Sequence, residues 1–425
     1  MKKICVIGLG YIGLPTSAVF AQAGCQVMGV DVNPKIVDKI NAGQIHIEEK
    51  GLGEVVRDVV KSGHLKAFTT PQEANVFIIA VPTPIHEDLT ADIDYVIDAT
   101  NSILPVLKKG NVVIVESTIP PRTIDDEVAP ILEKAGWDLQ NDLYLAHCPE
   151  RVLPGKILDE LVNNTRIVGG YSENGAAKAA EVYRIIVKGD IIETSALTAE
   201  MSKLMENTYR DVNIALANEL VKISQKLGVN AHEVIQLANR HPRVNIHLPG
   251  PGVGGHCLAV DPYFIVEKAT DEAKIIKLAR DTNVSMPSFV VNQVNLLVSE
   301  IEKPKVAVFG LSYKGNIDDY RESPAVEIYQ LLEKIERLEI AVHDPHILQE
   351  NIKITLYSFE DAITDADLVL ILTDHNEFKT LDFNSLDEKM RHSVVFDTRN
   401  CVGTTPTEKA VLYRIGDLSQ IKPIQ

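Results

Sequence analysis

Residues 250–262 read GPGVGGHCLAVDP and place Cys257 behind a run of glycines and a histidine. Glycines let a backbone turn tightly and approach a ligand closely. Such a loop can hold a thiol at the edge of a pocket, although the same letters also describe an ordinary turn that contains a cysteine. A thiol reacts through its thiolate, and near its ordinary pKa of 8.5 only about 3% is ionised at neutral pH. A nearby cation or donated backbone N–H groups raise that fraction. The other four cysteines have blander settings. Cys5 and Cys148 lie in the apolar runs ICVIG and LYLAHC and read as small buried hydrophobes, while Cys25 and Cys401 flank strands. Five cysteines without a CxxC pair suggest neither a disulfide framework nor a zinc site, so no metal is expected.

Other groups could serve such a thiol. Lys203, Asn207 and Arg210 stand at i, i+4 and i+7 and so share one helix face. That face is either the wet side of a helix or a lining where an ammonium and an amide stabilise an oxyanion. Met205, Leu216 and Leu220 lie off that face and are available for packing. Glu150 and Arg151, in PERVLPG (149–155), follow the run LYLAHC where a pocket would open. His241 and Arg243, in HPRVN, precede the cysteine loop.

A second set of residues concerns a cofactor. Gly8, Gly10 and Gly13 form GLGYIG directly after the strand KICVI and at the entry to a helix, and the next strand, QVMGV, ends at Asp31. This is the dinucleotide fingerprint: a tight turn, a close backbone approach to a pyrophosphate, and a helix N-terminus facing it. An acid in that position bonds a ribose 2′-hydroxyl and repels a 2′-phosphate, so NAD is expected over NADP. Thr83 in AVPTP and Thr118 in VESTIPP end later strands, where nicotinamide-side ligands bind in such sheets. Each is equally a threonine that merely turns the backbone. Near residue 310 the run VAVFGLSYKG resembles the first turn, but Ser312 replaces the middle glycine. Lys314 and Arg321 then place two cations at a strand-to-helix crossover. They suit a phosphate ligand other than a second NAD, or simply a solvated loop.

The elements that must position these residues are an alternation of short apolar strands and helices. KICVIGLG, QVMGVDV, VFIIAVPTP, NVVIVEST and LYLAHCPE read as strands, with helices such as GLPTSAVFAQAG and DYVIDATNSILPVL between several of them. Near-continuous apolar strands predict a parallel sheet covered on both faces. From Thr198, itself a candidate cap, to about Gly228 the chain predicts one long helix. AHEVIQLANR and DEAKIIKLARDTN are further helical patterns. After Lys303 the rhythm resumes with strands KVAVFGLSYKG, LEIAVHDP, ADLVLILTDH and SVVFDT and the helix SPAVEIYQLLEKI. The expected fold is α/β: two doubly wound Rossmann-like domains (1–197 and 301–425) joined by a helical central domain (198–300).

The 425 residues carry 59 acidic and 42 basic side chains, a net charge of −17. That disfavours nucleic acid and anionic membranes as partners. An anionic small substrate needs local Arg and Lys to hold it. No apolar run reaches the length of a bilayer span, and MKKICVIGLG reads as a first strand rather than a signal peptide. A reduced, cytoplasmic setting is expected.

These motifs, taken together, resemble the UDP-glucose/GDP-mannose dehydrogenase family, whose members oxidise a sugar CH2OH to a carboxylate with two NAD. The resemblance spans essentially the whole chain. PERVLPGKILDEL, AEMSKLMENTYRDVNIALANEL and NRHPRVNIHLPGPGVGGHCLAVDPYF are most similar to members acting on UDP-N-acetyl-D-mannosamine. Members acting on UDP-glucose usually carry CLPKD where this chain has CLAVD, and those acting on UDP-N-acetylglucosamine differ after PER. The resemblance implies Cys257 as nucleophile with Asp261 as its polar partner, Lys203 and Asn207 as oxyanion stabilisers, and Glu150 as general base. It implies NAD contacts at Asp31, Thr83, Thr118 and Arg321 and at the backbone of Tyr11 and Ile12. UDP-sugar contacts fall at Arg151, Val152, Arg210, His241, Arg243, Gly254, Tyr313 and Lys314. A homodimer through the central helix is implied as well, with the arginine matching Arg243 able to come from the partner subunit. Two other readings compete. A single-step β-hydroxyacid dehydrogenase would use a similar Lys-xxx-Asn pair, but needs neither the thiol nor residues 303–425. A non-catalytic NAD-binding regulator would need no reactive cysteine.

Overall fold

The structure, a computed structural model, describes residues 2–153 and 155–424. The chain forms two compact units, Met1–Glu206 with Tyr263–Glu272, and Asn207–Pro262 with Ala273–Gln425. Among the described residues no helix is long and apolar enough to cross a membrane.

The first unit is built on an eight-stranded sheet. Its strands are β1 (Lys3–Ile7), β2 (Gln26–Val30), β3 (Leu65–Phe68), β4 (Val76–Ile79), β5 (Val112–Val115), β6 (Tyr144–His147), β7 (Arg166–Gly170) and β8 (Ile191–Ser195). Their order is β3-β2-β1-β4-β5-β6-β7-β8. The expected parallel sheet holds except at one place, where β7 runs antiparallel to β6. Alternate residues feed opposite faces: Ile4, Val6, Ile78 and Ile114 enter one apolar cluster, and Cys5, Ile7, Phe77, Ile79 and Val113 enter another. This period of two explains why the central strands read as unbroken apolar runs.

The second unit repeats the scheme on five parallel strands, β9 (Lys305–Phe309), β10 (Glu339–His343), β11 (Leu368–Ile371), β12 (Val394–Asp397) and β13 (Val411–Arg414), in the order β10-β9-β11-β12-β13. Val306, Val308, Leu368 and Leu370 pack on one face, Ala307, Phe309, Val369 and Ile371 on the other.

The long helix spans Ala196–Leu227. It begins earlier than the sequence predicted, because the cap is Ser195 rather than Thr198: the Ser195 hydroxyl accepts the Thr198 N–H at 3.2 Å. The packing expectation for this helix also needs correction. Met205 and Leu216 are exposed, whereas Leu220 is half-buried and packs against the core of the second unit as expected; the buried apolar positions are Ala196, Ala199, Leu204, Ala215, Ala217 and Val221.

Candidate active site

The turn after β1 requires glycine at two positions, Gly8 and Gly13. Gly8 has φ +92°, and a Cβ there would lie 2.4 Å from the Ala80 carbonyl oxygen. A Cβ on Gly13 would lie 1.8 Å from the Gly8 carbonyl oxygen. At Gly10 a Cβ would meet nothing within 4 Å, so the space over the loop is open to a ligand. The helix Gly13–Gln22, with half-buried Ile12 at its cap and exposed Tyr11 before it, has neither a side-chain cap nor an acid in its first turn. The Leu14 N–H turns to the Gly10 carbonyl (3.1 Å) and Pro15 has none, so it is the positive end of the helix as a whole, uncancelled by any acid in its first turn, that favours an anion. Asp31 accepts the N–H groups of Leu9 (3.2 Å) and Asn33 (2.9 Å), which fixes its carboxylate at the end of β2. These features fit a dinucleotide.

Two further strand ends are held together by a residue the sequence reading passed over. Ser117 Oγ accepts the Val81 N–H at 2.9 Å and donates to the Val81 carbonyl at 2.7 Å. It thereby ties the β5 end, where half-buried Thr118 follows, to the β4 end, where Thr83 follows. Thr83 Oγ1 is buried and has no hydrogen-bond partner among the described residues.

Glu150 is buried just beyond β6. One carboxylate oxygen accepts the Arg151 N–H at 2.7 Å, and the other meets Arg166 Nη1 at 2.5 Å. Arg151 turns its guanidinium to the Thr165 carbonyl (3.2 Å) and to Glu206 (2.6 Å). Half-buried Val152 packs against the core, and Glu49 accepts the N–H groups of Gly155 (2.7 Å) and Ile157 (3.0 Å). Pro154 of the PERVLPG motif lies outside the described residues.

In the second unit, Cys257 is exposed, whereas Cys5, Cys25 and Cys148 are buried and Cys401 is half-buried. Burial pushes the Cys5 thiol up to about 11 and those of Cys148 and Cys401 up to about 12, and it raises Cys25 as well. Those four are kept as thiols. The loop before Cys257 rests on the segment after β9. Gly255 has φ +84°, and a Cβ there would come within 2.9 Å of Tyr313 Cε2. Its N–H donates to the Glu322 carbonyl at 3.1 Å. Gly254 is equally tight, 2.4 Å from the same carbonyl oxygen by its would-be Cβ. His256 Nε2 lies 3.7 Å from Asp319, and Arg321 grips Asp319 with two bonds of 2.8 Å. The thiol loop and the Tyr313–Lys314–Arg321 loop are therefore one contiguous piece.

Beyond the thiol, the Cys257 carbonyl accepts the N–H groups of Val260 (3.1 Å) and Asp261 (2.8 Å), a turn that opens the helix Asp261–Lys268. Asp261 is buried and accepts Asn207 Nδ2 at 2.6 Å. Two more asparagines of the long helix hold the same stretch of chain. Asn213 bonds the Asn245 carbonyl and the His247 N–H, both at 2.8 Å, and Asn218 accepts the Gly250 N–H at 2.9 Å. Neither was singled out from the sequence, although their placement on the helix that carries Asn207 was a usable signal. Arg210, His241 and Arg243 are exposed and Lys203 is half-buried. Of the proposed catalytic set, Glu150 and Lys203 belong to the first unit and Asn207, Cys257 and Asp261 to the second.

The second unit keeps the geometry of the first turn but closes it. Leu311 N–H bonds Asp344 (2.8 Å) as Leu9 N–H bonds Asp31, yet Asp344 also faces the buried ring of His375 at 3.3 Å. His375, His346 and Glu377 come within 4.8 Å of one another, a spacing that would admit a metal. The His375 ring is already committed: Nδ1 accepts the Asn316 N–H at 2.9 Å, and Nε2 lies 3.3 Å from both Asp344 and Ser312. The ring braces the loop bearing Tyr313 and Lys314.

The dinucleotide cradle on the first sheet places the protein among NAD-dependent dehydrogenases. Residues 2–187, 197–285 and 307–404 match, in order, the NAD binding, central and UDP binding domains of the UDP-glucose/GDP-mannose dehydrogenase family. The chain belongs to that family. It is 47% identical over 419 residues to a UDP-N-acetyl-D-mannosamine dehydrogenase of Methanococcus vannielii, covering 96% of this chain and 95% of that one. It is 50% identical over 392 residues to another of that name from Campylobacter jejuni, covering 89% and 96%. A solved structure of a UDP-N-acetyl-mannosamine dehydrogenase from S. aureus superposes with a TM-score of 0.91 at 54% identity, covering 99% of this chain and all of that one.

Proposed function

We propose that the protein oxidises UDP-N-acetyl-D-mannosamine at C6 to UDP-N-acetyl-D-mannosaminuronate, using two NAD per turnover. The observation that carries this reading is Cys257, an exposed thiol on a glycine loop braced against Tyr313, in a chain whose other cysteines are buried or half-buried. The similar proteins named for this substrate, matched along nearly their whole length, support the choice of sugar.

Alcohol to acid is a four-electron change, so the aldehyde formed midway must be held and oxidised again. When bound, NAD accepts one hydride in each oxidation. Gly8, Gly10 and Gly13, the backbone at Tyr11 and Ile12, Asp31, Thr83, Thr118 and Arg321 would hold it. The Cys257 thiolate adds to the aldehyde carbon: an S–C bond forms and the carbonyl electron pair moves onto oxygen. Lys203 and Asn207 stabilise that oxyanion, with Asp261 orienting the Asn207 amide. Loss of hydride from the same carbon leaves a thioester on Cys257. Water then attacks the acyl carbon while Glu150 takes its proton. The tetrahedral adduct collapses, the S–C bond breaks, and the thiolate is restored. Arg151, Val152, Arg210, His241, Arg243, Gly254, Tyr313 and Lys314 form the UDP-sugar contacts in this reading.

The wider reading is a three-part chain (1–197 for NAD, 198–300 central, 301–425 for UDP-sugar) working in the cytoplasm on a surface-polysaccharide precursor. It acts as a homodimer through the long helix. Exposed Tyr209, Leu216, Ile223 and Leu227 fall at i, i+7, i+14 and i+18 and so line one helix side, which supports that interface.

Counting NADH per sugar tests the proposal, with UDP-N-acetylmannosamine, UDP-N-acetylglucosamine and UDP-glucose offered in parallel. Two NADH from the first sugar with no free aldehyde are expected. One NADH per sugar would point to a single-step dehydrogenase, and preference for another sugar would overturn the substrate.

A further inference from the structure

Antiparallel pairing of β6 with β7 has a chemical consequence. In the register Ala146↔Gly170 and His147↔Gly169, each step forward from β6 goes with a step back along β7. Three steps beyond His147 the same count brings Glu150 opposite Arg166, the first residue of β7. Their side chains meet there, Arg166 Nη1 lying 2.5 Å from the Glu150 carboxylate, and both are buried.

Arg166 is itself anchored from behind. Its Nη2 lies 3.1 Å from Glu116 at the end of β5, and its guanidinium stacks 4.6 Å from the centre of the Tyr183 ring. Tyr183, at the end of the helix Glu173–Tyr183, donates its hydroxyl to Glu116 at 2.6 Å, and Thr16 of the helix Gly13–Gln22 donates to the other Glu116 oxygen at 3.3 Å. Three segments thus converge on one guanidinium, and a fourth, through Thr16, steadies Glu116. The titratable and charged groups facing Glu116 are Arg166, Glu150, Tyr183 and Cys148. The neighbouring β6 ring of His147 is kept neutral by burial, which lowers it to about 3.

One cation between two buried carboxylates leaves a surplus negative charge, which a low-dielectric interior penalises. A proton resolves it. Burial pushes Glu116 up to about 7, and Arg166 is the counter-charge in contact with Glu150.

We infer that Arg166, anchored by Glu116 and Tyr183, is the positioning residue that supplies the counter-charge of the Glu150 carboxylate and aims it for thioester hydrolysis. The inference rests on the reading of Glu150 as general base.

The test is rapid quench of the full-length enzyme with UDP-N-acetylmannosamine and NAD, following NADH and the acylated protein by intact mass across pH. In Arg166→Met the thioester should accumulate, with hydrolysis slowed at least about tenfold of the ~10²–10⁴ that a positioned general base supplies. The acid limb of the hydrolysis profile should move to higher pH, because an uncompensated buried carboxylate holds its proton more tightly. NAD affinity should stay near wild type. If Arg166→Met does not fold, Arg166→Lys keeps a charge without the two-pronged bridge and should move both readouts the same way. A folded Arg166 variant with wild-type hydrolysis and an unmoved acid limb overturns the inference. Glu150→Gln separates the two ideas. If it hydrolyses thioester normally, the base assignment itself fails. If it stalls as the thioester while the Arg166 variants do not, only the positioning role fails.

Discussion

The side-chain amide of Asn207 donates to the buried carboxylate of Asp261 across 2.6 Å, and the Asp261 N–H in turn closes on the Cys257 carbonyl at 2.8 Å. One carboxylate residue therefore joins Asn207, the oxyanion donor of the proposed mechanism, to the turn that carries the thiol. Asp261→Asn should lower kcat on the order of tenfold to a hundredfold, the scale set by misplacing an oxyanion donor, with KM for both substrates changing little. Steady-state kinetics check this. A change confined to KM would assign Asp261 to binding.

Cys257→Ser should produce no acylated protein and should stall at or before the second oxidation. In the wild type, iodoacetamide should modify Cys257 first, because burial keeps Cys5, Cys25, Cys148 and Cys401 un-ionised. Peptide mass mapping of a partial reaction reads this directly. Preferential labelling elsewhere, or full turnover by the serine variant, would refute the covalent step.

Gly255→Ala tests the brace beneath the thiol. The left-handed φ of +84° costs an alanine roughly 1–2 kcal/mol. The new Cβ also presses on the Tyr313 ring. The melting temperature should fall, and KM for the UDP-sugar should rise more than KM for NAD. Equal effects on both would mean general unfolding rather than displacement of Tyr313.

Glu200 gives a pH dependence of known sign. Its buried carboxylate accepts the N–H groups of Arg122 (2.7 Å) and Ile124 (3.0 Å), and Arg122 itself has φ +71°. Burial raises Glu200 from 4.5 to about 7. A group raised on folding contributes stability that is complete below its unfolded pKa and is lost as pH rises through the folded one. Relative to Glu200→Gln, the wild type should lose on the order of 2–3 kcal/mol of stability between about pH 5 and about pH 8. Urea unfolding of both proteins at those two pH values decides it. A constant gap would place the ionised form in the fold throughout.

Leu216→Arg places a charge in the exposed apolar line of the long helix. If that line is the dimer seam, light scattering should find the variant shifted to monomer with its melting temperature concentration-independent. An unchanged assembly would locate the interface elsewhere.

What the sequence disclosed depended on how local the signal was. GLGYIG and Asp31 were readable because the turn, the helix entry and the acid follow one another along a single β-α-β run. The strands β8 and β13 were missed because their residues are mostly exposed or half-buried, so neither carries a buried apolar run. The helix Met286–Leu297 was missed because Pro287 reads as a breaker, although in a first turn its missing N–H costs nothing. Of the site, Cys257, Asn207 and Glu150 announce themselves by type and setting. Their supports do not: Arg166 meets Glu116 from 50 residues away and Tyr183 meets it from 67, separations that no window along the chain reveals.

The reversed strand β7 has one more effect. Because it returns toward the point where β6 left off, Glu150 and Arg166 stand on the same rim of the sheet, and the helix Ile157–Asn163 belongs to the stretch between them. Ile157 and Leu161 tie that helix to the core, so only its exposed positions can drift while the Glu150–Arg166 clasp stays put. In the proposed mechanism, a lineage could therefore retailor the exposed positions that follow Glu150 without dismantling the pair assigned to discharging the acyl group.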